Sequence, residues 1–203
     1  MRTKKLPLPP PQPRKHLHHR EVYYDGYLRE DGLWDIEARI TDTRTYSIDS
    51  VGRPKLAAGL PVHDMLIRAT VDDNMTIREI NVAMDSRPFD ECIQARDPMQ
   101  KMVGATMGPG WRYAIEKALG GIQGCAHLRE LLFNMATAAY QTIPVHRAHQ
   151  AKLSNIAPTA SGTPPHHLGK CVAWDFNGPV VRRNYPAFVG WKALPEAGKP
   201  PKD

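Results

Sequence analysis

Cys125 and His127 stand two residues apart in GGIQGCAHLRELL (120–132), where a glycine-rich stretch gives way to a leucine-rich one. A helix beginning at Ala126 puts both near its first turn, where free backbone N–H groups and the helix dipole favour negative charge. Cysteines at helix starts are more readily ionised than free ones. An imidazole beside such a thiol can take or give a proton near neutral pH. The competing reading makes Cys125 a small buried apolar residue and His127 a group that caps a loop.

Two other clusters carry chemistry. His63 and Asp64 sit in LPVHDMLIRATV, at the mouth of a predicted strand. Strand neighbours point to opposite faces, so only one of the two can face a given pocket. The second cluster is REDGLWD (29–35). There Arg29 suits bidentate binding of a substrate carboxylate and Asp31 suits orienting an imidazole. Its structural alternative is a turn at Asp31-Gly32 with Trp34 in the core. Tyr24, Tyr27, Trp34 and Trp111 are candidates to wall an aromatic substrate. His63, Cys125 and His127, with Asp64 as a further donor, would also make a mixed zinc set, although Cys-x-His spacing is far less diagnostic than paired Cys-x-x-Cys. His16, His18, His19 and His166-His167 fall in proline-rich segments expected to be mobile, which sets them aside as a structured site.

The elements that must position these groups follow from patterning. Residues 22–49 read as two strands, with turn signals at Asp25-Gly26 and Asp31-Gly32 and the second strand running from about Trp34 to Thr43. Ser50 to Pro61 reads as loop. MLIRATV and TIREINVAM flank Asp72-Asp73-Asn74 as a hairpin. In its second strand Ile80, Val82 and Met84 alternate, and Ile77 falls out of register, which predicts a bulge or an edge position. A short helix is expected near Asp90–Arg96, another over Trp111–Leu119 closed by Gly120-Gly121, and a third from about Ala126 to Gln141, stopping before Pro144. Residues 142–168 read as a surface loop, and CVAWDF-Asn177-Gly178-PVVRR as a β-hairpin. Strands, then helices, then strands predict an α+β fold: an antiparallel sheet of about five to six strands packed with two or three helices, in a single domain over 16–192. A basic, proline-rich tail over 1–15 and a second tail over 193–203 complete the chain.

Composition narrows the classes. Of 203 residues, 41% are apolar and 24% charged, as in soluble globular proteins. Three cysteines without tight spacing argue against a disulfide framework. No apolar run reaches the length of a membrane span, and the start lacks the apolar core of a secretory signal, which predicts a cytoplasmic protein. The net charge of +6 resides wholly in the first 20 residues, which hold six basic groups and no acid. The remainder is neutral, which argues against a folded face for specific nucleic-acid binding. Phosphate-loop, dinucleotide and nucleophile-elbow motifs are not found, so no organic cofactor is expected.

REDGLWDIEA, PVHDM, MDSRPFDEC and GWRYAIEKALGGIQGCAHLRELL together resemble a bacterial family known as domain of unknown function 2889, over roughly Arg20 to Gln141. His63, Asp64, Cys125, His127 and the Arg29–Trp34 segment match its pattern, while Ala126 stands where the family has threonine. The resemblance implies that the separated clusters share a pocket; it supplies no reaction. The residues themselves suit proton shuttling by His63 and His127, with Asp31 or Asp64 orienting them. The expected protein is a small catabolic lyase acting on a small, hydroxylated aromatic substrate, for example by retro-aldol release of formaldehyde from an aromatic diol. A metal-dependent hydrolase and a non-catalytic ligand-binding accessory protein are the alternatives. A homo-oligomer is compatible with this composition.

Overall fold

The computed structural model describes residues 8–50, 53–154, 162–165 and 167–192. The expected tail over 193–203 and the first seven residues of the expected leader lie outside them. The chain divides into two compact units, Met1–Leu153 and Ser154–Asp203.

The first unit holds the α+β fold. Four long strands, β1 (His18–Leu28), β2 (Trp34–Arg44), β5 (Pro61–Val71) and β6 (Ile77–Ser86), form an antiparallel sheet in the order β1-β2-β5-β6. A separate ribbon pairs β3 (Ile48–Ser50) with β4 (Arg53–Leu56), so β4 falls within the expected Ser50–Pro61 loop. The main sheet thus has four strands, fewer than expected, because two short segments pair with each other instead. Three α-helices are present among the described residues: α1 (Trp111–Leu119), α2 (Ala126–Leu153) and, in the second unit, α3 (Pro179–Asn184). The expected short helix at Asp90 is a 3-10 turn over Asp90–Ala95, followed by another over Asp97–Met102.

Alternation decides which face is covered. Along β2, Trp34, Ile36, Ala38 and Ile40 are buried and the residues between them are half-buried. Met65, Ile67, Ala69 and Val71 supply the same face of β5. Helix α2 lays Leu128, Leu131, Leu132, Met135, Ala139 and Ile143 on that face. Each large apolar side chain so buried is worth roughly 1.5–3 kcal/mol. The predicted irregularity at Ile77 is a register shift: Thr70 pairs with Glu79, yet Val71 pairs with Ile77.

Three expectations are corrected. Asp25-Gly26 is not a turn; it lies inside β1, opposite Glu37 and Ile36. At Gly26 there is no room for a side chain against α2, for an added Cβ would sit 2.1 Å from Thr142 Oγ1, which explains a glycine within a strand. Helix α2 does not stop before Pro144 but continues to Leu153. Proline removes one helix donor, but the extra turns are held from the side. The His146 ring packs edge-on against Trp34 at 5.5 Å and Arg147 lies 3.8 Å from Asp73. Part of the expected 142–168 loop is therefore helix.

In the second unit the expected Asn177-Gly178 hairpin is a helix start. Asp175 Oδ1 accepts from the Asn177 N–H at 3.0 Å, Gly178 is the N-cap, and Pro179 opens α3. Proline at the first helical position is pre-set for a helix and needs no donor there, a preference that overrides the two-residue turn. The His167 ring lies 4.6 Å from Trp174 and 5.6 Å from Tyr185, and His166 falls outside the described residues.

Candidate functional site

Arg20, Asp42 and His63 form a row across three strands. In the sheet register Arg20 faces Asp42 and Asp42 faces His63. Directly opposed residues of antiparallel strands share a face. Asp42 continues the inward series of Trp34, Ile36, Ala38 and Ile40, so the row lies on the side covered by α2. The first turn of α2 carries His127 over it: the His63 and His127 rings lie 3.9 Å apart, tilted by 36°.

Asp42 is the hub, with only 1% of its surface exposed. Its Oδ1 accepts from His18 Nε2 at 2.6 Å and Arg20 Nε at 2.9 Å; its Oδ2 accepts from Arg20 Nη2 at 2.9 Å and His63 Nδ1 at 3.1 Å. His127 Nε2 lies 3.9 Å from the same Oδ2. Arg20 Nη1 also donates to Glu130 Oε2 on α2 at 2.7 Å, tying β1 to the helix. Cys125 Sγ lies 3.8 Å from His127 Nδ1. A thiol, an imidazole and a carboxylate thus stand in series.

Electrostatics follow from this packing. Burial by itself would raise the Asp42 carboxyl, but the hydrogen bonds from Arg20 and His18, with the nearby positive charge, outweigh it and hold the group well below the usual carboxylate range. Asp42 is therefore ionised and can only accept. The His63 Nδ1 facing it carries the proton, and Nε2 is left as the free base. Burial lowers His63, helped by the neighbouring His127. Burial, then the Arg20 charge, lowers His127. Both imidazoles are neutral at pH 7. A neutral base with one nitrogen pinned by a carboxylate is equipped to remove a proton.

Asp42, His63 and His127 offer ligand atoms within 4.8 Å of one another, a spacing compatible with a cation. Both Asp42 oxygens already accept from Arg20, and that guanidinium would repel a metal at the same carboxylate.

The sequence-predicted residues divide cleanly. His63, Cys125 and His127 come together. Asp64 lies on the other face of the sheet, where Arg39 Nε and Nη2 reach its two oxygens at 2.6 and 2.5 Å. Asp31 pairs with Arg29 at 3.0 and 2.7 Å in the β1–β2 turn, at the opposite end of β1 from Arg20, ~26 Å along the strand. Neither acid orients a site imidazole. Trp34 is buried with Nε1 donating to Asp73 Oδ1 at 3.0 Å, and Trp111 is buried with Nε1 donating to the Leu132 carbonyl at 2.8 Å. Tyr24 donates to the Leu131 carbonyl at 3.3 Å, and Tyr27 is exposed. Trp34, Trp111 and Tyr24 are thus engaged in holding the fold together, while Tyr27 faces solvent.

Sequence reasoning missed Asp42, Arg20 and Glu130, and set His18 aside as mobile. The segment before β1 is anchored: Thr45 Oγ1 donates to the His16 carbonyl at 2.8 Å and the Thr45 N–H to that of Leu17 at 3.3 Å. A signal for Asp42 was present, since ITDTR places a carboxylate at the next inward position of an apolar series.

Fold and site together define an α+β protein with a buried carboxylate between imidazoles, under the start of a long helix. A family model described as a protein of unknown function (DUF2889) matches residues 18–141, and the chain belongs to that family. No curated protein and no solved structure matches it. No helix among the described residues is long and apolar enough to cross a membrane.

Proposed function

We propose that the protein is a small, cytoplasmic bacterial enzyme of aromatic catabolism, a lyase working by acid–base chemistry without an organic cofactor or a metal. The observation that carries this reading is the 3.1 Å contact between Asp42 Oδ2 and His63 Nδ1, which leaves His63 Nε2 as a base of fixed orientation. In the reaction His63 takes the proton from a substrate hydroxyl. The bond to the carbinol carbon breaks, formaldehyde leaves, and the electron pair remains on a carbon conjugated with the ring. That carbon then receives the proton, so the net change is loss of one formaldehyde per substrate. His127, stacked on His63, is the second proton carrier.

The test is a screen of aromatic diols for released aldehyde, with wild type, His63→Ala and His127→Ala. Full turnover in both variants sinks the proposal. Elemental mass spectrometry separates the metal-dependent hydrolase: about one tightly held zinc per chain, lost in His127→Ala, would favour that alternative.

A further inference from the structure

Cys125 is not used by the lyase reading, yet its surroundings are built for a thiol that reacts. Its Sγ lies 3.8 Å from His127 Nδ1, and the other nitrogen of that ring lies 3.9 Å from the ionised Asp42. A proton on Nε2 would face the Asp42 carboxylate, and that tautomer would leave the Nδ1 lone pair to accept the thiol proton. This is the order nucleophile, base, orienting acid. Cys125 is also placed to meet a substrate. It is half-buried and lines a cleft of about 560 Å³ between the 3-10 segment 89–98 and residues 122–125. Phe89 and Ile122 stand at this cleft, 59% and 99% exposed, with Ala95 and Pro98 beside them. Among the described residues its lining carries one carboxylate, Glu91, and no basic group.

We propose that Cys125 is a nucleophile that accepts an acyl group, with His127 as its base, and that the cleft takes the uncharged, apolar body of an ester or thioester. The balance is complete without a further reactant. His127 takes the thiol proton as sulfur bonds to the carbonyl carbon. The intermediate collapses, the bond to the leaving alcohol or thiol breaks, and His127 returns the proton to it. Water, deprotonated by the same imidazole, then hydrolyses the thioester to a carboxylic acid and the free thiol. The backbone N–H groups of the first turn of α2 have no partner within the helix and are the donors available to the carbonyl oxygen. This proposal does not rest on the lyase reading, since its substrate and its product differ.

The experiment uses the full chain. Folded wild type is treated with iodoacetamide, and alkylation of Cys92, Cys125 and Cys171 is followed separately by peptide mass spectrometry. Cys171 is exposed and serves as the internal reference. Cys125 should label about tenfold or more faster than Cys171, and His127→Gln should bring it down to the reference rate. p-Nitrophenyl butyrate should then give a burst of nitrophenolate and a single butyryl group on the Cys125 peptide, both lost in Cys125→Ser. Labelling of Cys125 no faster than Cys171 in wild type overturns the proposal without any variant. So does a butyryl group found on other residues, or a burst that survives Cys125→Ser.

Discussion

Asp42 and His63 are direct partners across β2 and β5, and their side chains repeat that pairing, Oδ2 to Nδ1 at 3.1 Å. Backbone register thus sets which His63 nitrogen carries the proton. Asp42→Asn keeps the shape and exchanges an acceptor-only carboxylate for an amide that also donates. The proton on His63 is then no longer fixed. Turnover on any substrate that needs this base should fall about 10²-fold or more. Stability should fall by about 3 kcal/mol, because Arg20, His18 and His63 lose a buried charged acceptor together. Turnover assays and urea unfolding measure the two effects; an unchanged rate would remove Asp42 from the mechanism.

The acid side of the pH profile has a definite sign. His63 and His127 are both lowered below the ordinary 6.5. Proton-accepting activity should persist below pH 6.5 and disappear only as pH falls through the folded-state values. Stability follows the same direction. Below about pH 6.5 the unfolded chain binds protons that the native imidazoles refuse, so stability drops as pH falls through that window. Asp42, lowered from 3.8, adds a further loss in stronger acid. Histidine NMR titration checks this: either ring titrating above 6.5 in the folded protein would refute it.

Arg20 holds Asp42 with two nitrogens and Glu130 with a third. Arg20→Lys preserves the charge but cannot span three acceptors. It should destabilise the protein by about 1–2 kcal/mol, a figure kept modest because the guanidinium is one-third exposed. It should also move the Asp42 carboxyl upward, read by carboxylate NMR. A lysine variant indistinguishable from wild type would show that charge alone matters.

Gly26 of β1 packs directly against Thr142 of α2. Gly26→Ala brings a Cβ to 2.1 Å from Thr142 Oγ1, so Thr142, the helix or the strand must shift. The expected cost is about 1–3 kcal/mol in thermal or urea unfolding. Adding Thr142→Ala should recover part of it, a coupling that a double-mutant cycle reads directly. Independent, additive effects would place the strain elsewhere.

Long periodic elements were legible from the sequence. β2, the β5–β6 hairpin with its bulge, α1 and the start of α2 follow from alternation, helical spacing and glycine closure. Asp25-Gly26 and Asn177-Gly178 misled because turn chemistry was read locally. One glycine answers a helix crossing from residue 142, and the other precedes a proline that starts a helix. The site was half legible. Cys125 and His127 announce themselves by proximity, and His63 by its place at a strand mouth. Asp42 and Arg20 look like ordinary charged strand residues until the inward register is extended past Ile40 and Val22. Asp64 drew attention as the neighbour of His63, yet the two-residue strand repeat sends it to the opposite face.

Arg20 and Glu130 are 110 positions apart in the chain. During synthesis β1 therefore leaves the ribosome long before the helix that carries its second acidic partner. Closing so large a loop is entropically slow, and the paired imidazoles cannot meet until α2 has docked. The cluster of Cys125, His127, His63 and Asp42 is a late product of folding, so a nascent or partly folded chain carries its thiol and histidines without the arrangement on which the proposed chemistry depends.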